Sequence, residues 1–112
     1  MQIRNYKDED FPQLGKLLRE TGVLWQSVDK RENLKKKIEK DEESIIVAEK
    51  NGKIIGAVFF VYDPWSSYIL HLAVDSEHRN KGIGSILFQV AEQRLRARGK
   101  DFVFLNFKAY SA

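Results

Sequence analysis

The stretch Arg79-Asn80-Lys81-Gly82-Ile83-Gly84 has the residue types and the spacing to hold an anion. It follows the apolar run Tyr68-Ile69-Leu70-His71-Leu72-Ala73-Val74 and precedes an amphipathic segment from Ser85 to Arg98. A strand, a glycine-bearing loop and a helix start, in that order, leave the N–H groups of the first helical turn free, and the helix dipole favours negative charge there. Gly82 and Gly84 let the main chain approach a bulky phosphate with no Cβ in the way. Arg79 and Lys81 would add side-chain charge near phosphates. Solvation of the loop is their alternative role, and the role assigned to Asn80. The same glycines would also serve an ordinary turn capping a structural helix.

The glycine spacing excludes two common phosphate loops. A P-loop needs G-x-x-x-x-G-K-[ST], whereas Lys81 precedes the glycines here; a dinucleotide fingerprint needs G-x-G-x-x-G, and Leu87 stands where its third glycine belongs. His71, on the strand ahead of the loop, is a titratable group placed to take a proton. A packed strand histidine is the competing reading. His78 is expected to be exposed and receives no role. Tyr62, Trp65 and Tyr68 could wall an acceptor pocket, although sheet packing accounts equally well for Tyr62 and Tyr68.

These groups need a scaffold, and the chain spells one out. Gln2 to Tyr6 reads as a first strand. Asp8-Glu9-Asp10 opens a helix whose apolar stripe is Phe11, Leu14, Leu17 and Leu18, and Thr21-Gly22 ends it. A second helix is predicted from Asp29, whose spacing to Glu32 fits a capping box; with only Leu34 and Ile38 as anchors it should lie at the periphery. Trp25 falls in the connection between the two helices. Two strand-like runs, Ser44 to Lys50 and Lys53 to Tyr62, flank Asn51-Gly52, a strong hairpin signal because both turn positions need positive φ. A third strand spans Ser67 to Val74. The helix after the loop carries Ile83, Ile86, Leu87, Val90, Ala91 and Leu95 at helical spacing, then Arg94, Arg96, Arg98 and the stop residue Gly99. Asp101 to Phe107 is a final strand, apolar on both faces, as expected of a parallel strand after a βαβ crossover.

Composition narrows the function classes. A chain of 112 residues, 43% hydrophobic and 31% charged, is read as one domain, residues 1–112, with a real core and a soluble surface. No run is long enough to span a membrane, and the N-terminus does not read as a signal peptide. The absence of cysteine removes disulfides, thiolate metal sites and a cysteine nucleophile, and no metal site is predicted. A cytoplasmic location is expected. The net charge of +3 suits a polyanionic small ligand and is too small to argue for nucleic acid. Lys35-Lys36-Lys37, set among Glu32, Glu39, Glu42 and Glu43, reads as a solvated helix face.

With its flanking strand and helix, R-x-x-G-x-G resembles the acetyl-coenzyme A loop of the GNAT superfamily of N-acetyltransferases, and the order of elements resembles the GNAT fold over essentially the whole chain. The resemblance implies an α/β domain with a mixed sheet, acetyl-CoA as cosubstrate, and an amine acceptor on a small molecule or peptide. It implies that the diphosphate sits on the backbone of Lys81, Gly82, Ile83, Gly84 and Ser85. The pantetheine would run along Leu72, Ala73 and Val74. Family members continue with a further helix and two more strands, so the chain resembles a C-terminally truncated member. In many of them the further helix carries a tyrosine that protonates the departing thiolate; that role is not carried over to Tyr110, whose motif context is absent. An open last strand would be an aggregation-prone edge, which leads to the expectation of a homodimer closed through that edge. The alternative function is a coenzyme A-binding or assembly module without efficient transfer.

Overall fold

The computed structural model describes residues 1–99 and the backbone of Phe104–Leu105. The elements are β1 (Gln2–Asn5), α1 (Phe11–Glu20), α2 (Arg31–Lys40), β2 (Ile45–Lys50), β3 (Lys53–Val61), β4 (Tyr68–Val74), α3 (Ile83–Ala97) and β5 (Phe104–Leu105). They form one sheet in the order β1-β2-β3-β4-β5. The first four strands pair antiparallel, and β4 pairs parallel with β5, as the crossover through α3 requires. The rest of the predicted last strand lies outside the described residues, as do Tyr110 and the edge assigned to a second copy. Among the described residues no helix is long and apolar enough to cross a membrane.

Strand alternation explains the two layers. Ile45, Val47, Ala57 and Phe59 face α1 and α2, where they meet Leu14, Leu17, Leu18 and Leu34. Ile46, Ala48, Val58 and Phe60 face α3 and its buried stripe of Ile83, Leu87, Ala91 and Leu95. The hairpin turn has the predicted geometry, with φ of 52° at Asn51 and 78° at Gly52. Gly56 has a different task. A Cβ there would lie 2.9 Å from Leu87 Cδ1, 3.2 Å from Ile83 Cγ2 and 3.3 Å from the Ala73 carbonyl oxygen, so its absence lets α3 sit close on the sheet. Gly56→Ala is expected to cost about 1–3 kcal/mol through overpacking. It should appear as a lower urea midpoint with an unchanged slope.

Two local expectations need correction. Helix α2 begins at Arg31 rather than Asp29, because the Asp29 carboxylate turns inward and caps nothing. Helix α3 begins at Ile83, the first residue of its predicted stripe, because Gly82 is its N-cap. The lysine run is not uniformly solvated. Lys35 and Lys36 are exposed, but Lys37 is half-buried and its Nζ donates to the Phe60 carbonyl at 2.6 Å. The chain turns away from β3 at Ser44, whose N–H bonds Asp41 instead, and Lys37 supplies the donor to that end of the ladder.

Burial pushes the Lys37 ammonium down to about 8 from its usual 10.5. The unfolded chain then holds more protons than the folded one between those values. Stability should therefore rise with pH through this group from about 8 toward 10.5, and be insensitive to it below. Nitrogen-15 NMR of the Lys37 side chain should show it titrating near 8. In Lys37→Met the alkaline rise in stability should disappear.

Candidate active site

The loop after β4 is built from left-handed residues. Asn80 has φ of 64° and Gly82 of 79°, and together they turn the chain sharply into α3. Gly82 offers no side chain to cap the helix, and the first helical bond runs from Ile86 N–H to the Gly82 carbonyl at 3.1 Å. The N–H groups of Ile83, Gly84 and Ser85 are thus left without an intrahelical acceptor. Lys81 and Gly82 are exposed, as is Ser85. Arg79 is also exposed, and its Nε donates to the Val74 carbonyl at 3.3 Å, so its guanidinium sits over the end of β4. Helix start and strand end are neighbours, since a Cβ on Gly84 would lie 3.6 Å from Val74 Cγ2.

Strand β4 is interrupted just before that end. Ala73 pairs with Ala57, and Leu70 with Phe59, so β4 carries one more residue than β3 between the two pairs. The extra residue forms a β-bulge, and His71 takes φ of 56° within it. A left-handed histidine is uncommon, and such strain costs roughly 1–3 kcal/mol. Parallel pairing of β4 with β5 is seen at Tyr68 and Ile69; beyond them, Leu70–Val74 have no partner on that side among the described residues. The bulge sends His71 to the α1–α2 side, against Phe59 and Trp25, with ring centroids 4.9 and 4.4 Å away. Leu72 and Val74 pack on the α3 side. His71 is buried, and its Nε2 lies 2.7 Å from Asp29 Oδ2.

The family model of the Acetyltransferase (GNAT) family matches residues 2–111. The chain belongs to the GNAT acetyltransferase family. A curated relative from Yersinia pestis (strain Pestoides F), named acetyltransferase, is 31% identical over 99 residues, covering 88% of this chain and 70% of its own length. Among solved structures, Chaetomium thermophilum Naa20 in complex with a bisubstrate analogue matches with a TM-score of 0.82 at 24% identity, over 94% of this chain. This chain spans 61% of that one. Diaminobutyrate acetyltransferase EctA from Paenibacillus lautus, with L-2,4-diaminobutyric acid and coenzyme A, matches with a TM-score of 0.80 at 19% identity, over 98% of this chain and 67% of its own. PaiA N-acetyltransferase from Thermoplasma acidophilum, with coenzyme A, matches with a TM-score of 0.74 at 21% identity, over 88% and 73%. At these identities the likeness to the solved structures is one of fold.

Within this GNAT domain the residues singled out in the sequence divide into two groups. Leu72, Ala73, Val74, Arg79, Lys81, Gly82, Ile83, Gly84 and Ser85 meet where β4 ends and α3 begins. His71 lies on the α1–α2 face of β4, as Ala73 does, whereas Leu72 and Val74 pack on the α3 face. His78 is half-buried rather than exposed, because its Nδ1 pairs with Asp75 Oδ2 at 2.8 Å. That pair contributes to holding the Asp75 carboxyl below its usual range. The pairing of Asp29 with His71 escaped sequence reasoning. Asp29 is 42 residues from His71 and its spacing to Glu32 mimics a helix cap, so no local signal could have exposed the pairing.

Proposed function

We propose that this chain is an acetyl-CoA-dependent N-acetyltransferase acting on a primary amine of a small molecule or peptide. The observation that carries this reading is Gly84. Its φ is not positive, and a Cβ there would make only ordinary van der Waals contact. Gly84 is the second residue of α3, where glycine costs up to about 1 kcal/mol relative to alanine. The fold gains nothing from that cost, whereas a diphosphate resting on the first turn of α3 does. The N–H groups of Ile83, Gly84 and Ser85 would bind it, with the Lys81–Gly82 main chain beside them and the charges of Arg79 and Lys81 nearby. Leu72, Ala73 and Val74 would guide the pantetheine along the side of β4 away from β3.

The acceptor nitrogen would attack the acetyl carbonyl carbon, forming the N–C bond as the C–S bond breaks and coenzyme A departs as a thiolate. A main-chain N–H on the Leu72–Ala73 stretch would steady the oxyanion, a contribution typically worth about 2.7–4 kcal/mol. A lysine-like amine is neutral only a few parts in ten thousand at pH 7, a handicap of roughly 4.6 kcal/mol, so a proton acceptor is needed. His71 takes that role in this reading, and the proton returns to the thiolate or to solvent. The ligands in the EctA and PaiA structures support the choice of coenzyme A and amine.

Titration calorimetry with acetyl-CoA, followed by thioester consumption across a panel of amines, tests the reading. Saturable binding with acetylation of at least one amine is expected. Binding without turnover on any amine would turn the reading to a coenzyme A-binding module. No saturation at millimolar ligand would end it.

A further inference from the structure

We propose that Asp29 is a positioning residue that fixes the tautomer of His71, so that Nδ1 is the atom that accepts the proton from the acceptor amine. The inference rests on the acetyltransferase reading and adds to it a residue that the loop chemistry does not involve.

An ionised carboxylate only accepts hydrogen bonds. The 2.7 Å contact with Asp29 Oδ2 therefore places the ring hydrogen on His71 Nε2. In the neutral ring the lone pair then lies on Nδ1. The carboxylate is itself held. Asp29 Oδ2 also accepts the Trp25 N–H at 2.8 Å, while the Trp25 carbonyl accepts the N–H groups of Val28 and Asp29 at 2.9 and 2.7 Å. These reciprocal bonds close the 25–29 turn on itself, and the Trp25 ring meets the imidazole edge-on at 4.4 Å.

Both partners are buried, with 3% of each side chain exposed. A carboxylate in such a place is costly unless hydrogen-bonded, and the strained φ of His71 adds to the expense. Two local costs meet at one contact beside the reacting strand. When Nδ1 takes the amine proton as the N–C bond forms, the imidazolium faces a negative charge already in place, with no reorganisation. The 25–29 turn thus sets ring orientation and proton location together.

Nitrogen-15 NMR of the histidine rings reads the tautomer without turnover. The expected result is Nε2 protonated and Nδ1 bare in the neutral ring. An Nδ1-protonated ring would overturn the proposal. Asp29→Asn keeps an oxygen for the Trp25 N–H but removes the charge. It should lower kcat by about tenfold or more, leaving KM for acetyl-CoA within about twofold. A merely structural role would lower thermal stability and raise KM with kcat intact, which would also overturn the proposal. Should the native chain bind acetyl-CoA yet acetylate no amine, the acetyltransferase reading itself fails, and the positioning role of Asp29 with it. The tautomer result tells that failure apart from a wrong assignment of the ring.

Discussion

Gly84→Glu is expected to stabilise the folded chain and to weaken acetyl-CoA binding by roughly a thousandfold. The two effects have opposite signs because the fold and the ligand ask different things of this position. For the fold, the substitution replaces a helical glycine, a gain of up to about 1 kcal/mol. It also sets a carboxylate in the first turn of α3, where the dipole is worth roughly 0.3–1 kcal/mol. No clash opposes this, since the nearest atom to a Cβ there is Val74 Cγ2 at 3.6 Å. For a diphosphate on the same turn, the carboxylate is a like charge a few ångströms away, a repulsion of about 4 kcal/mol at an intermediate dielectric. At 1.4 kcal/mol per tenfold, that is about three decades in Kd. A rise in the urea midpoint together with unmeasurable binding by calorimetry would confirm the division. A loss of stability, or undiminished binding, would place the diphosphate elsewhere. Gly82 could not serve for this experiment, because its φ of 79° makes any side chain strained whatever binds.

The sheet separates two tasks that the reaction must bring together. Of the residues proposed for the cofactor, Leu72 and Val74 pack on the α3 side, and His71, the proposed proton acceptor, faces the α1–α2 side with Ala73, Asp29 and Trp25. The bulge at His71 makes this possible. In a regular strand the side chains of 70 and 71 would point to opposite faces; the extra residue turns His71 to the face that Leu70 also serves. The thioester lying along the strand would then be reached from one side by the acceptor and held from the other.

What could be read from the sequence follows from the range of the forces involved. The hairpin at Asn51-Gly52, the stop at Gly99 and the helix start at Gly82 are local backbone requirements, and two or three residues state each of them. The stripe Ile83, Leu87, Ala91 and Leu95 is periodic and equally legible. Lys37 and Asp29 were not, because their partners are the Phe60 carbonyl and the His71 ring, brought near only by the completed fold. Asp29 shows how a local rule can mislead. Its spacing to Glu32 satisfied a capping pattern, yet the buried imidazole won its carboxylate and left Lys30 at the helix start. The left-handed backbone of His71 was equally hidden, since nothing in Leu70-His71-Leu72 marks a bulge.

Removing the base while sparing the scaffold is the second large effect. His71→Gln keeps a donor at about the reach of Nε2, so that Asp29 and the 25–29 turn retain a partner. His71→Asn has the shorter reach but tolerates the left-handed backbone better, as asparagine does. Neither amide can take a proton at neutral pH. If His71 accepts the amine proton, both variants should lose about 10²–10⁴-fold in kcat. Affinity for acetyl-CoA should stay within about threefold, because the proposed anion site lies at the start of α3 and shares no side chain with the histidine. The two variants err in different directions, one in backbone and one in reach. A common loss of kcat therefore points to the missing base rather than to either structural fault. If His71→Asn instead turned over at the native rate, the imidazole would be a packing group, and the proton would leave through water to a different acceptor. Thioester consumption under saturating acetyl-CoA, beside a calorimetric Kd for each variant, decides between these outcomes.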